Sequence, residues 1–115
     1  MKHVYKILIA VIVALSANAQ AGGDAAAGKI IAAEKCVACH GVDGNNDNPQ
    51  FPRLAGQHAD YLERALQDYK SGARANPIMA GQATVLSKQD MKNLSAWFAS
   101  QSGVTAPVQP KTVSK

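Results

Sequence analysis

The order of apolar and polar positions divides the chain into one unbroken apolar run, three stretches of helical rhythm, and polar intervals between them. The run, Ile7 to Leu15, carries no charge. The first helical stretch follows Gly22-Gly23: Asp24 is placed to cap a helix passing through Ala25, Gly28, Ile31 and Ala32 toward Cys36. Gly28 is a poor helix former there, and its expected use is to admit a closely crossing helix. A second stretch, Asp60 to Lys70, repeats Tyr61, Leu62, Ala65, Leu66 and Tyr69 at spacings of three and four, with Gly72 as its stop. The third has the clearest start: Ser87 caps, Asp90 stands at the third helical position, and Leu86 is placed to staple onto Met91. Met91, Leu94, Trp97 and Phe98 share one face, and Gly103 is the expected stop. Glycine, asparagine and proline mark loops from Gly41 to Pro52 and from Ser71 to Ala83. The expectation is an all-α fold of three main helices.

The first apolar run stands apart from this fold. Lys2 and Lys6 precede it, and Ala17-Asn18-Ala19 and Ala19-Gln20-Ala21 after it have the small-x-small form of a signal-peptidase site. It is shorter than the roughly 20 apolar residues of a membrane-spanning helix, which makes an uncleaved anchor the lesser reading. Residues 1–21 are therefore expected to be a cleaved signal peptide, 22–103 one domain, and 104–115, with Pro107 and Pro110, a flexible C-terminal tail. Such a chain is periplasmic, with no integral membrane segment after cleavage. Removing Lys2 and Lys6 takes the formal charge from +4 to +2, so nothing in the charge suggests nucleic acid. Phe51, Tyr61, Tyr69, Trp97 and Phe98 are the aromatic residues left to a small core, to which a buried cofactor would add apolar surface.

Cys36-Val37-Ala38-Cys39-His40 is the segment whose residue types and spacing together specify a cofactor. Two thiols three positions apart can add to the two vinyl groups of haem as thioethers, and the histidine next to the second falls below the ring, where its imidazole binds iron. Other readings are poorer. A zinc site lacks ligands, since no further cysteine exists and His58 is the only other histidine after the leader. A thioredoxin-like dithiol needs alternating strands and helices. A local disulfide gives no role to His40.

The sixth iron position is approached by elimination. Met1 leaves with the leader, and Met91 lies on a helix where packing is the better use. Met79 remains, in the interval between Pro77 and Gly81, with the alternative that it fills an apolar gap. His58, at the start of the second helix, is the competing ligand.

On Asp24-Ala25-Ala26-Ala27-Gly28, the haem motif with Gly41, Phe51-Pro52-Arg53-Leu54-Ala55-Gly56-Gln57 and Asn76-Pro77-Ile78-Met79, the sequence resembles class I cytochromes c from about Asp24 to Gln101. Within that class it is similar to the small bacterial cytochrome c-553 group and to one half of di-haem cytochrome c-4. The resemblance implies one covalently bound haem c wrapped by three main helices and their loops. It also implies His40 and Met79 as axial ligands and a proline carbonyl, assigned to Pro49, on the His40 ring. Arg53 is placed to meet a haem propionate. Trp97 is expected to pack on the first helix near Gly28 and at the haem edge. No second haem motif occurs, so the chain holds one haem.

With both axial sites filled, the chemistry left is one-electron transfer. The resemblance implies respiratory partners: a quinol-oxidising complex or dehydrogenase as donor, and a terminal oxidase or reductase as acceptor. Two alternatives remain open: a dedicated haem subunit of a periplasmic oxidoreductase, and an open-site haem enzyme or gas sensor.

Overall fold

The computed structural model describes residues 22–104. The expected signal peptide, and the expected tail beyond Val104, lie outside the described residues.

The first helix, α1, spans Ala25–Lys35. Asp24 begins it in extended conformation, its carboxylate accepting from the Ala26 and Ala27 amides at 2.9 and 3.3 Å. Cys36 is the hinge to a short helix, α2, Val37–His40, which ends at Gly41. After a long loop comes α3, Ala59–Ser71, closed by Gly72 in the left-handed conformation, where a glycine carries no steric penalty. Then follow α4, Pro77–Thr84, and α5, Lys88–Ala99. Among the described residues every regular element is a helix.

The three main helices stand where the periodicity puts them, but two features differ from the sequence reading. The interval from Ser71 to Ala83 contains α4, because Asn76 caps it and Pro77 starts it, a proline position that needs no N–H. Gly81 sits inside that helix without breaking it. And α5 ends at Ser100, short of Gly103; a Cβ at Gly103 would overlap Ala55, so its smallness serves close approach instead.

The first and last helices pack on each other, and α3 packs on α5 and α4. At the crossing, a Cβ on Gly28 would run into the Asn93 carbonyl. The Asn93 side chain also accepts from the Asp24 amide at 2.8 Å. Below the crossing lies the core: Ala32, Leu62, Leu86, Met91, Leu94 and Phe98. Leu86 and Met91 both belong to it, as a staple across a capped helix start requires, and the full capping box of Ser87 and Asp90 is formed.

The 41–58 loop is held without regular structure, largely by asparagine and backbone bonds. Asn46 Nδ2 donates to the Cys39 carbonyl at 2.7 Å, and the Asn46 amide to that of His40 at 3.2 Å. The Leu54 amide donates to Gly44 at 2.9 Å, Gly56 to Phe98 at 2.8 Å, and Val104 to Ala55 at 2.6 Å. These bonds fix the loop against α2 and α5.

Candidate functional site

Two adjoining cavities open between α2, α3, α4 and the loop. The inner one, about 180 Å³, is bounded largely by apolar side chains of α3 and α5 and of the loop, among them Leu54, Leu62, Leu66, Leu94 and Phe98. The outer one, about 190 Å³, is bounded by Lys35, Ala38, Cys39, Phe51 and Ile78. Cys36, His40, Pro52 and Met79 line both.

His40 ends α2 and is buried, only 6% exposed. Its Nδ1 stands 2.9 Å from the Pro52 carbonyl oxygen, and Phe51 meets its ring edge-on at 6.4 Å. With Nδ1 committed to a carbonyl, Nε2 is the nitrogen left for a metal, the arrangement that orients an imidazole and raises its basicity. The expected partner, the Pro49 carbonyl, does not make this contact: Pro49 is exposed, and it is Pro52, three residues on, that the Gly44 to Leu54 bond folds back over α2.

Met79 stands at the third position of α4, half-buried, its amide donating to the Asn76 side chain at 3.0 Å. It lies in a capped helical turn where the sequence predicted a loop. Met91 is in the core, 1% exposed, and unavailable to the cavities. His58 is exposed at the start of α3 and lines neither cavity.

Cys36 and Cys39 are separate thiols. Burial pushes the Cys36 thiol up to about 11, with Lys35 opposing and Cys39 adding to the rise. Among the described residues no three His, Cys, Asp or Glu side chains converge as a metal cluster. The donor set around the cavities is thus one imidazole, one thioether and two thiols in apolar surroundings, a set that suits an iron porphyrin.

Arg53 lines the inner cavity, but its guanidinium is bound to Asp47 at 2.6 Å in an exposed pair. Trp97 is half-buried against the core and meets the first helix as expected, with Lys29 over its ring and its Nε1 donating to the Val42 carbonyl at 3.3 Å, but it lines neither cavity. The aromatic side chain of α5 that reaches the inner cavity is Phe98. Two residues that position the site, Pro52 and Asn76, carry different signals in the sequence. Asn76-Pro77 is a usable cap signal, whereas nothing local separates Pro52 from Pro49.

Comparison with known proteins agrees with this geometry. The family model for cytochrome c matches residues 25–102. Cytochrome c4 of Pseudomonas aeruginosa is 43% identical over 112 residues, covering 96% of this chain and 55% of that protein. Cytochrome c-554(548) of Halomonas halodenitrificans is 42% identical over 82 residues, 69% of this chain and 98% of that protein. The crystal structure of reduced recombinant cytochrome c4 from Pseudomonas stutzeri matches with a TM-score of 0.67 at 43% identity, over 77% of this chain and 51% of that one. The chain thus spans about half the length of the cytochrome c4 proteins it matches. The helical frame, the paired thiols beside a buried histidine and these matches agree in one assignment: the chain belongs to the cytochrome c family, and its cofactor is a covalently attached haem c.

Proposed function

We propose that the chain is an exported mono-haem electron carrier in which Cys36 and Cys39 form the thioethers and His40 and Met79 bind the iron. The observation that carries this reading is the shared position of His40 and Met79, which line both cavities from different elements, α2 and α4. Bound haem supplies the Fe(II)/Fe(III) couple. The protein's own part is to hold two ligands that suit both oxidation states. Pro52 fixes the ring of His40, Asn76 fixes the turn bearing Met79, and the Leu62, Leu94 and Phe98 side chains keep water from the inner face.

Were His40 and Met79 both to hold the iron, they would leave no open position for a substrate, and the protein would act as a shuttle. Its contacts with donor and acceptor are small and brief, as electron-transfer encounters generally are. A periplasmic dehydrogenase or quinol-oxidising complex supplies the electron, and a terminal oxidase or reductase removes it. No described helix is long and apolar enough to cross a membrane. Export rests on the leader pattern at 1–21.

The test is a reduced-minus-oxidised spectrum of the exported protein, with and without carbon monoxide. A covalently bound haem whose reduced spectrum carbon monoxide leaves unchanged is expected. A rapid carbon monoxide shift would mean an open iron site and would replace the carrier by an enzyme or gas sensor.

A further inference from the structure

We propose that Lys70 is a positioning residue for the iron: by bonding the Leu86 carbonyl, its ammonium straps down the segment that carries Met79 and keeps the thioether on oxidised haem. The inference rests on the His40 and Met79 ligation proposed above.

The segment between α3 and α5 is thinly held. From Ser71 to Val85, Met79, Ala80 and Ala83 alone escape full exposure, and Ile78, beside the ligand, is 63% exposed. Its helix, α4, packs on α3 and has no comparable contact with α1, α2 or α5. Segments with so little buried surface are the ones that open locally, at a lower free energy than whole-molecule unfolding. The ligand asks for the opposite, because a soft sulfur holds Fe(III) less firmly than Fe(II). Retention in the oxidised state must therefore come from the chain.

Two ties bracket the segment. At its start, the Arg74 amide donates to the Asp68 carbonyl at 3.0 Å and its Nη1 to the Tyr61 hydroxyl oxygen at 3.2 Å. At its end, Lys70 Nζ donates to the Leu86 carbonyl oxygen at 2.6 Å. Among the described residues this is the one hydrogen bond that reaches positions 77–86 from another element. Leu86 is a firm post for it. Its side chain is in the core, 4% exposed, and its carbonyl precedes the Ser87 cap, so the hydrogen-bond ladder of α5 makes no use of it. The Leu86 amide in turn donates to the Ala83 carbonyl at 3.1 Å, and Ala83, fully buried, stands one turn after Met79 on α4. A continuous path of bonds thus joins Lys70 to the ligand turn. An ionised donor makes the stronger kind of hydrogen bond, and a chain fixed at both ends gains less entropy on release than one fixed at a single end.

A lysine in the last turn of a helix also complements the helix end, which stabilises α3 whatever Leu86 does. The two roles differ in what they protect. Support of α3 acts on unfolding of the whole molecule, whereas a strap acts on the departure of Met79 from the iron while the rest stays folded.

The experiment mixes oxidised holoprotein with imidazole at rising concentration and follows loss of the methionine-to-iron charge-transfer band, for the parent, Lys70→Met, Lys70→Arg and Lys88→Met. At saturating imidazole the rate is that of Met79 leaving the iron. Lys70→Met keeps the aliphatic stem without the donor and is expected to raise this limiting rate by about threefold to tenfold, below the full value of a charged hydrogen bond because the lysine is exposed. Lys70→Arg should recover most of the parent rate. Lys88→Met removes an exposed cation at the start of α5 and should leave the rate unchanged. Circular dichroism during denaturation supplies the contrast: a role confined to α3 lowers that midpoint and leaves the limiting rate where it was. An unchanged limiting rate in Lys70→Met, or an equal rise in Lys88→Met, overturns the proposal. A parent protein lacking covalent haem or the charge-transfer band refutes the ligation itself, and the inference with it, before any variant is compared.

Discussion

His40 Nδ1 lies 2.9 Å from the Pro52 carbonyl oxygen, although twelve positions separate the two residues. A proline has a fixed φ, which removes one of the two backbone rotations that aim its carbonyl. Replacing Pro52 by glycine should slacken that aim and weaken the bond to the ring N–H. A less basic imidazole stabilises Fe(III) less, so the Pro52→Gly midpoint potential is expected above that of the parent. Pro49→Ala, on the exposed part of the same loop, should leave the potential unchanged. Voltammetry of the two variants decides between the carbonyls.

Met79→Ala should keep the covalent haem while losing the methionine-to-iron charge-transfer band in the far red. The potential should drop, since thioether ligation raises it, and carbon monoxide should now bind. A variant with the parent's spectrum and potential would show that Met79 is not on the iron.

The Asn76 cap gives a subtler test of the same turn. Its side chain accepts from the Met79 amide at 3.0 Å, and losing such a cap costs about 1 kcal/mol. Asn76→Ala should therefore lose the far-red band at lower denaturant than the parent, with Asn76→Ser restoring most of the difference. Equal midpoints for all three would separate the cap from the ligand turn.

Gly28→Ala adds one methyl group where the Asn93 carbonyl already sits. The helices must part to accept it, a strain of the kind that costs roughly 1–3 kcal/mol. Chemical denaturation should show a lower midpoint with the haem spectrum intact. An unchanged midpoint would mean that the crossing is loose.

Acid stability should depend on the box that starts α5. Hydrogen bonds from the Ser87 amide and hydroxyl hold the Asp90 carboxyl below its usual range. A depressed folded-state pKa contributes stability at pH above the unfolded carboxylate value, and that contribution disappears as pH falls through the folded one. Asp90→Asn should accordingly be less stable than the parent near neutrality and converge on it in acid. Parallel curves at all pH values would contradict the assignment.

Signals confined to a few neighbouring residues were the legible ones. The Ser87 and Asp90 box, the Gly72 stop and the Asp24 cap each lie within one turn of the helix they bound, and the structure places each element there. The motif from Cys36 to His40 was equally local. What escaped depended on how distant segments meet. Pro52 and Pro49 offer identical carbonyls, and only the Gly44 to Leu54 bond brings one of them over His40. Trp97 and Phe98 are sequence neighbours, and the crossing of α1 and α5 decides that Phe98 reaches the cavity while Trp97 turns to Lys29 and Val42. Asn76 was legible in principle, but Pro77 and Gly81 read as breakers concealed the helix it begins.

The bond between the Asp24 amide and Asn93 joins positions 69 apart in the sequence. Such a seam cannot fray one residue at a time, because releasing α5 from α1 also frees Phe98 from Gly56 and opens the loop behind His40. Amides at the two ends of the domain should therefore exchange with deuterium at a common slow rate, the rate of whole-molecule opening, as if they belonged to one continuous element.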